Sequence, residues 1–262
     1  MNTVTNVRLT TAVKVNASLY NQVEDAFAIL SKLESVNEVK TIKRNKLTIK
    51  QLFQNDTTPV IVFESNGPKL YFSPETPIYF HLDTVKVKLH MLKQNKQPIL
   101  IEMLNNITSN LSTFNFIDGT MGFGRDSYMT LKTFKQANIY AIEQNPLIYF
   151  VISEGMKNYL EPEEFERIHF INDDYNNWVK QNTKLVDVLY LDHMFEQTLV
   201  ENDRMGELSR MTDVIQNIKP IEDYKYLIVK AHYKSHIFKK LKVTQCLRKS
   251  SKTHYGLSTK SK

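Results

Sequence analysis

The chain lacks the residues that build disulfide frameworks, thiolate metal clusters and membrane spans. Its 262 residues include one cysteine, Cys246, so neither an internal disulfide nor a cysteine-based zinc site can form. No apolar run reaches the roughly 18–20 residues that cross a bilayer. The N-terminus also lacks the charged start and apolar core of a signal peptide. His232 and His236 have a helical metal-ligand spacing but lie in a strand-like segment, so we expect no metal. These features predict a soluble, cytoplasmic protein that does not contact membranes.

Acidic residues are absent from the C-terminal end. Residues 225–262 hold eleven of the 34 Lys and Arg residues and no Asp or Glu, which leaves 23 basic against 28 acidic residues before them. A basic end on a mildly acidic body suggests contact with a polyanion. A solvated basic edge, or a frayed tail after about residue 250, is the alternative, and charge alone does not decide between them.

The residues that are present favour a folded protein with a small N-terminal unit. At 42% hydrophobic and 11% aromatic, the chain can bury a sizeable core. Residues 1–83 predict an α+β extension, with a helix at about 19–35 and a hairpin around Asn66-Gly67-Pro68. Residues 84–107 predict helix, with a break at Pro98.

Strands and helices alternate from residue 114 onward. Predicted strands FNFID, NIYAIE, RIHFIND, VDVLYLD and YKYLIVKAH are separated by helical segments, including one at Leu208–Asn217. This alternation indicates βαβ units on a mostly parallel sheet. Residues 84–262 therefore form the predicted second domain, of the α/β class.

Glycine is scarce, yet three of the seven glycines fall within six residues, Gly119–Gly124, directly after a strand. Ligands of open α/β sheets bind outside the carboxyl ends of the strands, and acids stand at four such ends: Asp118, Glu143, Asp173 or Asp174, and Asp192. The loop reads GxxGxG, not the GxGxxG of a dinucleotide fingerprint, and it lacks the P-loop lysine. A tight turn is the simpler interpretation of the glycines, and close approach of a ligand to the backbone is the functional one.

Four segments stand out within roughly residues 84–235: IDGTMGFGRD, EQNP, YLDHMF and the late strand LIVK. They resemble motifs of class I S-adenosylmethionine (SAM)-dependent methyltransferases, and more narrowly of the RsmJ-like group, which includes enzymes that methylate the N2 amine of guanine in small-subunit rRNA. The resemblance implies a Rossmann-like methyltransferase sheet of seven mostly parallel strands. It also implies SAM as the cofactor, held by Asp118, Gly119, Thr120, Gly122, Gly124, Arg125, Asp126, Glu143, Asp173 and Asp174.

The third motif is implied to hold the acceptor amine. Asp192 and Phe195 retain the acid and the aromatic residue of the family pattern, whereas His193 replaces its proline. We predict Asp192, His193 and Phe195 as the catalytic group, with His193 either a tolerated replacement or an acid/base residue. The competing interpretation is a strand-end turn with buried apolar residues.

Given a methyltransferase, the basic end favours RNA as the partner. The predicted RNA-binding residues are Lys230, Lys234, Lys239, Lys240 and Arg248. The sequence thus predicts an rRNA guanine-amine methyltransferase. Methyl transfer to a protein or small molecule, or a non-catalytic module that binds RNA and SAM, are the alternatives.

Overall fold

The computed structural model describes residues 5–14, 17–193, 224–246, 248 and 251–260. They form two sheets, one from residues 5–71 and the other from residues 114–259. Phe195 and the helix predicted over Leu208–Asn217 lie outside the described residues. No helix in the described ranges is long and apolar enough to cross a membrane.

The N-terminal sheet has four strands in the order β2-β1-β3-β4. Their bounds are β1 Thr5–Thr11, β2 Val36–Thr41, β3 Val60–Glu64 and β4 Gly67–Tyr71. Strand β1 pairs in parallel with β2 and β3, and β4 returns antiparallel to β3. The predicted hairpin is confirmed, and Gly67 supplies the positive φ of +118° at its turn.

Two helices accompany this sheet, α1 (Ala17–Leu30) and α2 (Ile49–Leu52). α1 buries Leu19, Val23, Ala26 and Leu30, the three- and four-residue spacing of one helix face. It ends five residues before the predicted end at about residue 35. α2 opens on Thr48, whose hydroxyl accepts a hydrogen bond from the Gln51 amide.

The main sheet has seven strands in the order β10-β11-β9-β8-β5-β6-β7. Their bounds are β5 Phe114–Asp118, β6 Ala137–Ile142, β7 Ile168–Ile171, β8 Val188–Asp192, β9 Tyr226–His232, β10 Thr244–Cys246 and β11 Thr253–Thr259. The five strands β5–β9 pair in parallel, and β10 and β11 are antiparallel. A mostly parallel, seven-stranded α/β sheet is therefore confirmed.

The two antiparallel strands come from the basic C-terminal end. β11 pairs with β9 along its whole length, from Thr253↔His232 to Thr259↔Tyr226. Residues 253–259 are therefore part of the sheet and not a frayed tail. A β-carbon on Gly256 would lie 2.5 Å from Val243 Cγ2, so the close packing at this strand requires glycine.

Helices accompany the main sheet, two before its first strand and the others between its strands. They are α3 Asp83–Lys93, α4 Ile99–Thr108, α5 Arg125–Thr133, α6 Pro146–Lys157, α7 Pro162–Phe165, α8 Tyr175–Gln181 and a last short helix, α9, Ile237–Lys240. The predicted break at Pro98 is confirmed, because Pro98 caps the start of α4. α5 begins at Arg125, because the left-handed Gly124 turns the chain into the helix there.

The N-terminal extension shares a hydrophobic core with the main sheet. The Phe80 ring lies 5.5 Å from the Tyr128 ring and 5.6 Å from the Tyr159 ring, both of which belong to the main-sheet region. A β-carbon on Gly155 in α6 would lie 3.0 Å from Phe80 Cβ, so this glycine admits the phenylalanine. The first predicted domain thus packs against α5 and α6, the two helices next to the glycine-rich loop.

Candidate functional site

The carboxyl ends of β5, β6 and β8 meet at the glycine-rich loop that follows β5. The Gly119 amide donates a hydrogen bond to the Tyr190 carbonyl of β8 at 2.9 Å. The Met121 amide donates to the Ile142 carbonyl of β6, also at 2.9 Å. The loop is therefore tied to both neighbouring strands, and the acids that end these strands converge around it.

Two glycines in the loop adopt left-handed conformations, with φ +50° at Gly122 and +67° at Gly124. At Gly124, an added β-carbon would lie 2.4 Å from Met156 Cε and 2.9 Å from Ile152 Cγ2. Side chains of L-residues are disfavoured at such φ values, and the contact with α6 leaves no room for one. The loop conformation and its packing on α6 thus explain the clustering of glycines.

Asp118 is buried at the end of β5. Its Oδ2 accepts a hydrogen bond from Ser127 Oγ at 2.6 Å, and its Oδ1 accepts one from the Thr120 amide at 3.2 Å. Burial, with a smaller contribution from Asp126, raises the pKa of the Asp118 carboxyl to about 7. At pH 7 about half of these carboxyls therefore carry a proton, and a cation beside the group would favour the ionised form.

Glu143 follows β6 and is also buried. Its Oε2 accepts a hydrogen bond from the Gly122 amide at 3.0 Å, and its Oε1 accepts one from the Asn145 amide at 2.9 Å. Burial raises its pKa, although these amide hydrogen bonds oppose the shift. Each oxygen retains a second lone pair, so the carboxylate can accept two further hydrogen bonds from a ligand.

Asp126, in the first turn of α5, lies at the centre of a mostly buried ionic cluster. Lys88 Nζ of α3 and Lys230 Nζ of β9 are both 3.1 Å from its carboxylate oxygens. The Tyr190 hydroxyl donates to its Oδ2 at 2.7 Å. Burial disfavours the charged carboxylate, but Lys230 and Lys88 outweigh that cost and hold the pKa of Asp126 well below its ordinary value.

Asp192 ends β8 and joins the same cluster. Its Oδ2 lies 2.5 Å from Lys230 Nζ, and its backbone amide donates to Thr120 Oγ1 at 2.7 Å. Burial disfavours the lysine cation, yet Asp126 and Asp192 together raise the pKa of Lys230 well above its ordinary value. Thr120 thus links the glycine-rich loop directly to the end of the strand that carries Asp192.

His193 is buried, and its backbone amide donates to the Lys230 carbonyl at 2.7 Å. Burial, together with the nearby Lys240, lowers the pKa of its imidazole to about 4. The ring is therefore neutral at neutral pH. A proline at this position could not make the amide hydrogen bond to β9.

The other predicted cofactor residues surround this edge. Arg125 Nη2 lies 2.6 Å from His81 Nε2, and its guanidinium stacks over the Phe123 ring at 4.7 Å. Asp174 caps α8, since its Oδ1 accepts a hydrogen bond from the Asn176 amide at 2.7 Å. Asp173 is partly buried, and burial raises its pKa.

The predicted RNA-binding residues do not all lie on the surface. Lys230 belongs to the buried cluster, and Arg248 donates to Ser251 Oγ and the Thr253 carbonyl within its own turn. Lys234, Lys239 and Lys240 are exposed and follow the carboxyl end of β9. These three therefore form the exposed basic group beside the site.

Sequence reasoning missed three members of the site. Lys88 and Tyr190 both contact Asp126, and Ser127 contacts Asp118. Tyr190 lies within a predicted strand and Ser127 three residues after the last glycine of the loop, so their positions in the sequence could have indicated both. Lys88 had none, because its partner is 38 residues away on another helix. No cluster of three or more potential metal ligands occurs in the part of the chain described.

Comparisons with known proteins identify the family of the chain. Residues 71–212, more than half of the chain, match the family described as "Putative SAM-dependent methyltransferase". The chain is 25% identical over 229 residues to the uncharacterized protein YpiP of Bacillus subtilis, covering 82% of this chain and 87% of that protein. It is 27% identical over 177 residues to the ribosomal RNA small subunit methyltransferase J of Psychrobacter arcticus, covering 63% of this chain and 57% of that enzyme.

Among solved structures, a SAM-dependent methyltransferase from Neisseria gonorrhoeae superposes with a TM-score of 0.57 at 14% identity, over 96% of this chain and 95% of that one. At this level of identity the likeness concerns the fold. It extends over both sheets, and so includes the N-terminal extension.

Proposed function

The chain belongs to the family of SAM-dependent methyltransferases, and from that premise we propose that it methylates an exocyclic amine of guanine in ribosomal RNA. The observation that carries the proposal is Asp192, a carboxylate fixed by Lys230 and joined through Thr120 to the glycine-rich loop. The matching relative from Psychrobacter arcticus bears the name of a small-subunit rRNA methyltransferase, which supports the choice of acceptor.

The residues around the glycine-rich loop fit SAM chemically. Asp118 is a buried carboxylate with its pKa raised to about 7, and a neighbouring ammonium group would favour its ionised form. Glu143 has lone pairs left to accept hydrogen bonds from both ribose hydroxyls. We assign the methionine ammonium to Asp118 and the ribose to Glu143.

The cofactor, when bound, supplies an electrophilic methyl group on a sulfonium centre. The exocyclic amine of guanine is neutral, weakly nucleophilic and carries two N–H donors. The protein must therefore hold it so that its nitrogen faces the methyl group. Asp192, kept anionic by Lys230, can accept one of these hydrogen bonds. Catalysis in this scheme is mainly orientation of the amine against the methyl donor.

His193 has a packing role in this proposal. With a pKa of about 4, its imidazole holds little proton to donate near neutral pH and is a weak base, which disfavours the acid/base alternative. Its amide instead continues the pairing of β8 with β9 beyond Asp192. The residue therefore helps to fix the backbone that presents the carboxylate.

Exposed lysines beside the site support an RNA acceptor. Lys234, Lys239 and Lys240 follow the carboxyl end of β9, the strand that carries Lys230. We propose that they contact phosphates, because such contacts supply most of the sequence-independent affinity for nucleic acid.

The test is methyl transfer from labelled SAM to small-subunit rRNA extracted from a strain that lacks the gene, followed by mass analysis of the nucleosides. We expect N2-methylguanosine with the wild type and at least about a hundredfold lower rate with Asp192→Asn, of the order seen when a key positioning contact is lost. Binding of S-adenosylhomocysteine, measured by calorimetry, should survive in that variant. A wild-type protein that methylates proteins or small molecules but no RNA would contradict the proposal.

A further inference from the structure

Helix α3 (Asp83–Lys93) and the residues after it carry basic charge that the site described above does not use. Residues 84–101 include Lys86, Lys88, Lys93 and Lys96 and no acidic residue. This segment lies in the part of the chain before residue 225, in which acidic residues outnumber basic ones. A local basic surface on an otherwise acidic body is the electrostatic footprint of a polyanion site.

α3 is anchored beside the site by one of these lysines. Lys88 Nζ lies 3.1 Å from Asp126 Oδ1, and Asp126 also binds Lys230, the partner of Asp192. Val85 is buried on the same side of the helix, one turn earlier. The inward face of α3 is thus linked through Asp126 and Lys230 to Asp192, the carboxylate predicted to hold the acceptor amine.

The opposite face of α3 is exposed. Lys86, His90 and Lys93 are all exposed, and Lys96 follows them in the exposed segment after the helix. Lys86 and Lys93 are seven residues apart, which places them on nearly the same side of the helix about 10 Å apart along its axis. We call Lys86, Lys93 and Lys96 the α3 basic face.

Local helix energetics explain only part of this pattern. Lys93 stands in the last turn of α3, where a cation interacts favourably with the helix dipole. Lys86 stands in the first turn, where a cation is disfavoured and an acid would stabilise the helix. No ion pair involves the α3 basic face in the ranges that the structure describes. Its charge is therefore available to a partner outside the chain.

We propose that the α3 basic face binds phosphates of the substrate RNA, on the side of the site formed by the N-terminal extension and α5. Lys234, Lys239 and Lys240 supply basic charge after β9, at the strand that carries Lys230. The inference rests on the proposed function, because it takes RNA as the acceptor. RNA contacts then come from two separate segments of the chain, both tied to the cluster around Asp126 by a lysine.

The test compares two triple variants of equal charge change. Lys86→Gln/Lys93→Gln/Lys96→Gln removes the α3 basic face. Lys135→Gln/Lys180→Gln/Lys184→Gln is the matched control. These lysines are also exposed, but they precede the amino ends of β6 and β8, whereas the site lies at the carboxyl ends of the strands. Binding of a fluorescein-labelled RNA stem-loop is measured by anisotropy over a salt series, and KM and kcat are measured with the extracted rRNA.

We expect the α3 variant to weaken RNA binding at least about fivefold and to lower the slope of log Kd against log salt by about 2–3, because three phosphate contacts are lost and each lowers it by about 0.7–0.9. KM for rRNA should rise with little change in kcat, and S-adenosylhomocysteine should bind as in the wild type. The control variant should keep most of the wild-type slope.

Three outcomes overturn the inference. If both triple variants lose equal affinity, the effect reflects net charge and not the α3 surface. If the α3 variant retains the wild-type slope and KM while the wild type methylates rRNA, the inference fails and the proposed function stands. If the wild type neither binds nor methylates RNA, both fail together.

Discussion

Lys230 and Asp192 are cross-strand partners at the end of two parallel strands, and their charged groups are 2.5 Å apart. Lys230 also contacts Asp126, so one buried cation joins two carboxylates from different elements. Removing one partner of a buried ion pair leaves an uncompensated charge inside the protein. The free-energy cost of that charge exceeds the net stabilisation that the intact pair provides. This relationship makes Lys230 the residue on which the geometry of the site most depends.

Lys230→Met should therefore destabilise the fold and impair methyl transfer. We expect a loss of about 3–5 kcal/mol in the free energy of unfolding, measured by urea denaturation, because Asp126 and Asp192 lose their shared cation. Lys230→Arg should recover part of the stability and of kcat. Comparable activity in the Met and Arg variants would show that Lys230 does not position Asp192.

Asp118 should make cofactor binding depend on pH. Its pKa of about 7 in the free protein means that a bound ammonium must displace a proton below that pH. Affinity for SAM should therefore rise with pH up to about 7 and level off above it, with a limit of about tenfold per pH unit on the acid side. Calorimetry between pH 5.5 and 8 measures this, and Asp118→Asn should bind more weakly with a flat profile.

The same substitution should affect stability in the opposite direction. The pKa of Asp118 is higher in the folded protein than its ordinary value of 3.8, so the folded state binds more protons between pH 4 and 7. Its contribution to stability is present at low pH and is lost as pH rises through about 7. Without cofactor, Asp118→Asn should thus melt at a higher temperature than the wild type at pH 8, with the difference shrinking towards pH 5.

His193 should contribute acid sensitivity without taking part in proton transfer. Its pKa falls from 6.5 to about 4 on folding, so the stability it provides above pH 6.5 is lost as pH drops towards 4. His193→Phe should flatten the fall in stability over this range and leave the pH dependence of kcat unchanged. A shifted or missing limb in the kcat profile would instead identify the imidazole as an acid or base.

Gly124→Ala should distort the glycine-rich loop. The left-handed φ of +67° costs an L-residue roughly 1–2 kcal/mol, and the added methyl group would meet Met156 Cε at 2.4 Å. We expect weaker SAM binding together with lower stability. Met156→Ala in the same background should relieve the steric part, so the double variant should be more stable than the sum of the two single changes predicts. Simple additivity would mean that the contact with Met156 is not the cause.

The sequence predicts the parallel strands of the main sheet better than its antiparallel strands. The parallel strands and the converging acids were predictable, because alternation of strands and helices is a local pattern and the strand ends follow from it. β10 and β11 were not predicted, since short antiparallel strands in a lysine-rich segment carry a weak hydrophobic signal. Their place beside β9 depends on pairing with a strand more than twenty residues away.

The sequence by itself determined the loop. Gly119, Gly122 and Gly124 follow a buried strand that ends in Asp118, and Gly122 and Gly124 adopt the left-handed conformations that favour glycine. The tertiary structure alone decided the charge network. Lys88, Asp126 and Lys230 come from three elements, with 38 and 104 residues between the paired charges. Lys230 stands in a basic segment that suggested a surface role, whereas the fold buries it against two carboxylates. A lysine's neighbours are set by packing over long sequence distances, and only these neighbours determine whether its charge meets solvent, RNA or another side chain.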